Sequence, residues 1–275
     1  MSAMRKTAGV TLVELIVVIA ITSIIGAMVA MFIRRPVEGY ADAARRASLT
    51  DEADTALRRL TRDLRLALPN SVRVDGSGQF VEYIETTGGG RYRAEAGTGG
   101  SGNNILDFTA TDTDGFDVLG PVPVLATGNQ IVVYNLYNTG TVSNAYFGDN
   151  RAALSSIATP PIAIASKLFP EASPAKRFHV VSGPVTYGCT GGQLLRYSGY
   201  AYSTAQVAPP VGATMVTAVL ATHVDVAGCQ FVYTAGAISE RIATVSIILP
   251  IVSTPAGGGV ERVRMFQQAQ VSNAP

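Results

Sequence analysis

Val10 to Ile33 reads VTLVELIVVIAITSIIGAMVAMFI, with one ionisable group, Glu14, and no proline. At about 1.5 Å per residue such a run is long enough to cross a bilayer core as a helix. An ordinary secretory signal has a shorter apolar core and ends at a small-residue cleavage site on its far side. Here the run continues to Arg34 and Arg35, so the anchor is expected to stay with the protein. Ahead of it lies a short polar leader, Met1 to Gly9, which carries Arg5 and Lys6 and ends in glycine. Glu14 demands its own account, because an ionised carboxylate at membrane depth costs about 3 kcal/mol or more and usually has a partner or a function. Thr11-Leu12-Val13-Glu14 fits a capping box, which would use the carboxylate on its own helix N-terminus.

Beyond Pro36 and Gly39, which can bend or loosen a helix, Ala41 to Leu68 contains neither residue type and is expected to be helical. Leu49, Ala53, Ala56, Leu57, Leu60, Leu64, Ala67 and Leu68 recur at steps of three and four, an apolar stripe suited to packing on a sheet. Pro69-Asn70 then ends the helix. The remaining faces carry Arg45, Arg46, Arg58, Arg59, Arg62 and Arg65, interleaved with Asp42, Asp51, Glu52, Asp54 and Asp63. Asp54–Arg58 and Arg59–Asp63 stand at i,i+4, the pattern of a solvated or docked helix face. No nucleic acid is expected as a partner.

With 21 basic and 20 acidic side chains the chain has no overall field to steer it to a charged partner. The 28 glycines and 14 prolines point to many turns between short strands. Strands are expected at Phe80–Ile84, Ile105–Phe108, Gln130–Tyr137, Phe178–Tyr187, Gln193–Tyr202, Met215–His223, Cys229–Tyr233, Ile242–Leu249 and Val260–Val271. The stretch Gly88 to Gly102, GGGRYRAEAGTGGSG, reads as a mobile loop. The fold class is therefore α+β, a long N-terminal helical spine packed on an antiparallel β body. Its divisions are a leader at 1–9, a transmembrane helix at 10–34, an amphipathic continuation at 35–68 and a β-rich domain at 69–275.

Catalytic chemistry is hard to find. His179 and His223 lie in no metal spacing, and no nucleophile elbow, zinc-protease or phosphate-loop motif occurs. No cofactor is expected. Asp112, Asp114 and Asp117 offer three carboxylates within six residues, but Gly115 comes one position too early for an EF-hand loop, and an Asx-rich turn accounts for them as well. Tyr197, Tyr200 and Tyr202 suit either a partner surface or a core ladder. Cys189 and Cys229 stand far apart in sequence without metal-type companions, which favours a single disulfide in an oxidising compartment.

The run Gly9-Val10-Thr11-Leu12-Val13-Glu14-Leu15 resembles the class III signal of type IV prepilins. That resemblance implies cleavage by a prepilin peptidase after Gly9, N-methylation of Val10, and a role for Glu14 in meeting the N-terminal amine of a neighbouring subunit. One position departs, since most family members have phenylalanine where this chain has Val10. Leu68 to Val74, Arg177 to Val185 with Cys189, Gln193 to Tyr197, and the ending Phe266 to Pro275 look like minor pilins of the mannose-sensitive haemagglutinin (MSHA) pilus system; the likeness is weakest between Gly88 and Ala175. It implies a structural and not an enzymatic chain. Its partners would be the major pilin, other minor pilins, the inner-membrane assembly platform and membrane lipid. Its place would be the inner membrane, single-pass with the body in the periplasm, and then the extracellular fibre. Arg34, Arg35, Arg45 and Arg46 outnumber Arg5 and Lys6, which by charge counting alone would keep the body inside, but long domains translocate largely regardless of charge. A J-type minor pseudopilin of type II secretion shares the leader, the spine and a large β body, and a tip adhesin or binding module is compatible with all of it. A membrane-anchored periplasmic enzyme would need a catalytic constellation that is not evident.

Overall fold

The computed structural model describes residues 9–97, 104–158, 160–235, 241–254 and 258–275. Its helix α1 spans Leu12–Leu64. The strands that follow are β1 (Arg73–Val74), β2 (Phe80–Arg91), β3 (Gln130–Val133), β4 (Arg151–Ala153), β5 (Arg177–Thr190), β6 (Gln193–Ser198), β7 (Val216–Ala221), β8 (Gln230–Thr234), β9 (Ile242–Ser253) and β10 (Glu261–Ser272). The described residues form an α+β protein, in keeping with a pilin-like fold. They divide into two compact units at Thr50/Asp51.

The N-terminal unit is helical. Helix α1 runs through Pro36 without ending there, although a proline ring removes one i→i−4 hydrogen bond. The Asp42 carboxylate pairs with Arg45 one turn on.

In the second unit the helix supplies its apolar stripe to the core. Ala53, Ala56, Leu57, Leu60 and Leu64 are all buried, and truncating any of these leucines to alanine would cost about 2–5 kcal/mol. Helical geometry stops at Leu64, four residues short of the expected Leu68. The reason lies in the sheet and in Pro69. Leu66 and Ala67 donate N–H bonds to Asp63 and Leu64, closing tight i→i−3 turns, and Leu68 N–H turns to the Ile84 carbonyl at 2.8 Å. A residue before proline avoids the α region, so Leu68 is released to pair with β2.

Strand β5 organises the larger sheet. It pairs with β2 along one edge, while its other edge is shared by β3 in its first half and β6 in its second. Strands β1 and β4 extend the sheet beyond β2 and β3, and β7 adds to β6. Every pairing is antiparallel. A three-stranded sheet, ordered β10-β9-β8, completes the body. Pro250 sits inside β9 opposite Arg264. Its missing N–H is harmless there, because the β8 ladder runs only from Thr244 to Ile248, and the Pro250 carbonyl accepts from Asp225 N–H instead.

Several local expectations are corrected. The glycine run at 88–90 is not a loop: it is the second half of β2, with Gly88, Gly89 and Gly90 opposite Val180, His179 and Phe178. A Cβ on Gly90 would stand 3.0 Å from the Phe178 ring and 3.3 Å from Val118, and one on Gly89 would stand 2.7 Å from the Phe178 carbonyl oxygen, so Gly90 admits aromatic packing and Gly89 a close backbone approach that a larger residue would block. Tyr92 just beyond is buried against Phe108 and Phe116. Residues 98–103 of the same stretch lie outside the described part. Ile105–Phe108 forms no strand; Leu106 N–H bonds Arg93 and its side chain joins the core. Strand β3 ends at Val133 because Tyr134 takes a left-handed backbone, φ 50°, and Gly199 at φ 75° likewise follows the end of β6. Strand β7 stops at Ala221, ahead of His223 at φ 58°.

One polar contact locks helix to sheet. The Tyr187 hydroxyl of β5 donates to Asp63 of α1 at 2.6 Å, and Arg196 of β6 stands 3.6 Å from the same carboxylate. Asp63 is thus buried and turned inward and does not serve Arg59, whereas Arg58 does bond Asp54 at 2.7 Å. Tyr187→Phe should lower stability by about 1–3 kcal/mol, since it strips a buried carboxylate of its hydroxyl donor. Urea unfolding of the full chain in detergent should show a lower midpoint at unchanged slope; an unchanged midpoint would remove this contact from the account.

Candidate functional site

The sequence expectations gather at the start of α1. Thr11 caps the helix, its Oγ1 accepting the Glu14 N–H at 3.3 Å and its carbonyl accepting Leu15 N–H at 3.1 Å. That is half of a capping box. The reciprocal half, the Glu14 carboxylate returning to the Thr11 N–H, is not made, and among the described residues the carboxylate has no partner. The neighbouring polar groups behave differently. Thr22 Oγ1 donates to the Val18 carbonyl and Ser23 Oγ to the Ile19 carbonyl, each at 2.7 Å, so both hydroxyls are satisfied inside their own helix as a lipid environment demands. From Val10 to Ile33 the large apolar side chains are exposed in the isolated chain. Among the described residues, α1 is the one helix long and apolar enough to cross a membrane.

In the body, the Sγ atoms of Cys189 and Cys229 are bonded. This joins the end of β5 in the large sheet to the residue before β8 in the small one. Backbone bonds run beside it: Cys189 N–H to Gln79 at 3.0 Å and Phe231 N–H to Gly78 at 2.7 Å. Closing a loop with a sequence separation of 40 contributes about 4 kcal/mol in the chain-entropy model.

The other candidates take structural places. Asp112 Oδ1 accepts the N–H of Gly115 at 2.8 Å in an Asx turn, while Asp117 Oδ2 accepts Asn104 N–H at 3.0 Å and faces Arg93 at 3.5 Å. Asp114 is exposed. The three carboxylates are not brought together, and among the described residues no three His, Cys, Asp or Glu side chains gather as a metal site. Gly115 has a packing reason of its own: at φ 80° its Cβ would overlap the Ile162 carbonyl oxygen. Tyr197 is buried; Tyr200 bonds Thr186 at 2.5 Å and Glu82 at 3.1 Å; Tyr202 lies under the Arg151 guanidinium at 3.6 Å. Tyr197 belongs to the interior, while Tyr200 and Tyr202 are half-buried and held by contacts within the body. Glu82 also pairs with Arg73 at 2.7 Å, and burial raises its pKa against the pull of Arg73 and Tyr200. Arg73 in turn holds the carbonyls of Ser203 and Thr204, a network that pins the segment after β6.

His223 is exposed beside Thr222, its Nδ1 2.8 Å from the hydroxyl. His179 is largely buried on β5, and burial, reinforced by Arg177, holds its pKa down at about 4. The folded imidazole therefore stays neutral where the unfolded one, at about 6.5, gains a proton. Its contribution is full above pH 6.5 and is lost as pH falls towards 4. Comparing the pH dependence of urea midpoints should show the wild type losing up to about 3 kcal/mol across that window more than His179→Gln; parallel profiles would contradict it.

Residues 4–32 match the prokaryotic N-terminal methylation motif. The chain matches no curated protein and no solved structure. The motif spans most of the expected leader, the predicted cleavage point and most of the apolar run. With one membrane-length helix, a disulfide and an α+β body beside it, the match supports a type IV pilin-like or pseudopilin subunit: a single-pass, membrane-anchored structural chain whose leader implies a prepilin peptidase and assembly with other pilins.

Proposed function

We propose that this chain is a minor pilin of a type IV pilus of MSHA type, resembling MshO, which helps to initiate the fibre or form its tip. The observation that carries the reading is Glu14: within a segment matching the methylation motif, it keeps a carboxylate for which the described chain offers no partner. In this reading a peptidase cuts between Gly9 and Val10, Val10 becomes the methylated N-terminus, and Glu14 meets the N-terminal amine of a neighbouring subunit. In the low dielectric of a helix bundle such a pair fixes register more than it adds net stability.

The chain then divides into leader 1–9, membrane helix 10–34, spine 35–68 and body 69–275. It rests in the inner membrane with the body in the periplasm, where a Cys189–Cys229 bond is stable, before moving into the extracellular fibre. Its contacts are the major pilin, the other minor pilins, the assembly platform and lipid, and its role calls for no cofactor and no nucleic acid.

Glu14→Ala and Glu14→Gln separate register from capping. Both should insert normally, because removing a charge from a membrane helix eases insertion. Both should also lose co-purification with the other minor subunits at matched membrane levels. Retention of Glu14→Gln with loss of Glu14→Ala would assign Glu14 to its own helix cap, and wild-type recovery of both would refute the assembly role.

A further inference from the structure

A cavity of about 650 Å³ opens in the body where Asn70, the segment after β3, the end of β8, the start of β9 and the residues after β10 converge. Its size is that of a small-molecule site. Its walls carry Tyr134, Tyr137, Tyr233 and Arg241. The Tyr134 and Tyr137 hydroxyls and the Arg241 guanidinium have no partner among the described residues. Among the described residues the cavity therefore holds one free cation beside the Tyr134 and Tyr137 hydroxyls, each able both to donate and to accept, and ring faces suited to C–H groups.

The walls are held in place beforehand. Of the six described non-glycine residues with left-handed backbone, three line this cavity: Asn70 at φ 58°, Tyr134 at 50° and Arg241 at 49°. Such conformations persist where the surroundings over-determine them and cluster at ligand sites. Asn273 is the tie. Its N–H bonds the Arg241 carbonyl at 2.8 Å, its Oδ1 accepts Asn70 N–H at 3.1 Å, and its Nδ2 donates to the Tyr233 hydroxyl at 2.9 Å. One asparagine thus sets the positions of three lining residues, the kind of prior ordering that lowers the entropic cost of binding.

We propose that this cavity binds an acidic saccharide, its carboxylate on Arg241, its hydroxyls on the tyrosine hydroxyls and its ring on the tyrosine faces. A peptide carboxylate would also use the guanidinium, but its backbone lacks the many hydroxyls and C–H faces that a sugar ring presents to phenol hydroxyls and aromatic rings. The site needs only the folded body and stands apart from the assembly role of Glu14.

Calorimetry on the full chain in detergent, with trigalacturonate as probe, tests the assignment. Trigalacturonate should bind, and its methyl ester should bind about tenfold more weakly for want of the charge-assisted bond. Arg241→Gln should weaken the acid about tenfold and leave the ester unchanged, while Tyr137→Ala should weaken both. Circular dichroism should show both variants folded as the wild type is, since Arg241 and Tyr137 are exposed. Absence of binding, equal binding of acid and ester, indifference to both substitutions, or preference for a peptide with a free C-terminal carboxylate would each overturn the proposal.

Discussion

The body is built on the burial of one face of the helix from Ala53 to Leu64, with Asp63 bonded inward to Tyr187 and facing Arg196. The apolar stripe alone would allow the helix to slide or rotate by small steps, since leucine contacts are not directional. A carboxylate that must keep its donors in a buried setting allows one placement. From that seating the chain leaves the helix after Leu64, pairs Leu68 with Ile84 and enters the β2–β5 ladder that the other strands of the large sheet extend.

One helix thus serves two solvents. Between Val10 and Ile33 the apolar side chains are exposed and the hydroxyls of Thr22 and Ser23 are satisfied within the helix, which is the requirement of lipid. From Ala53 onward the apolar residues form a stripe and the remaining faces are charged, which is the requirement of a protein core beside water. Glu14 fits neither regime. Its carboxylate stands in the lipid-compatible part without a partner among the described residues, and the account of assembly rests on that mismatch.

The helix and its stripe were legible because period 3.6 and the absence of glycine and proline from Ala41 to Leu68 are local signals. The long strands β5, β9 and β10 were legible for the same reason, as continuous or alternating apolar runs. Gly88–Gly90 was not, because composition reads glycine as loop, whereas here the missing side chain of Gly90 makes room for the Phe178 ring and Val118. Asp63 reads as one more surface charge in an i,i+4 pattern, and only the position of Tyr187, far along the chain, turns it inward. The short strands β1 and β4 hold too few residues to show a period. The tyrosine-lined cavity draws on six separate segments, so no motif could announce it. Asp112, Asp114 and Asp117 show the converse: proximity in sequence did not become proximity of carboxylates, because an Asx turn and Arg93 draw them apart.

The central claim is that this chain is processed and assembled as a pilin-like subunit, and the state of its N-terminus tests it most directly. Mass spectrometry of the full protein extracted from membranes should find residues 1–9 absent and a methyl group on the amine of Val10. An intact Met1 terminus, or a cut beyond Ile33 that discards the apolar helix, would contradict the account.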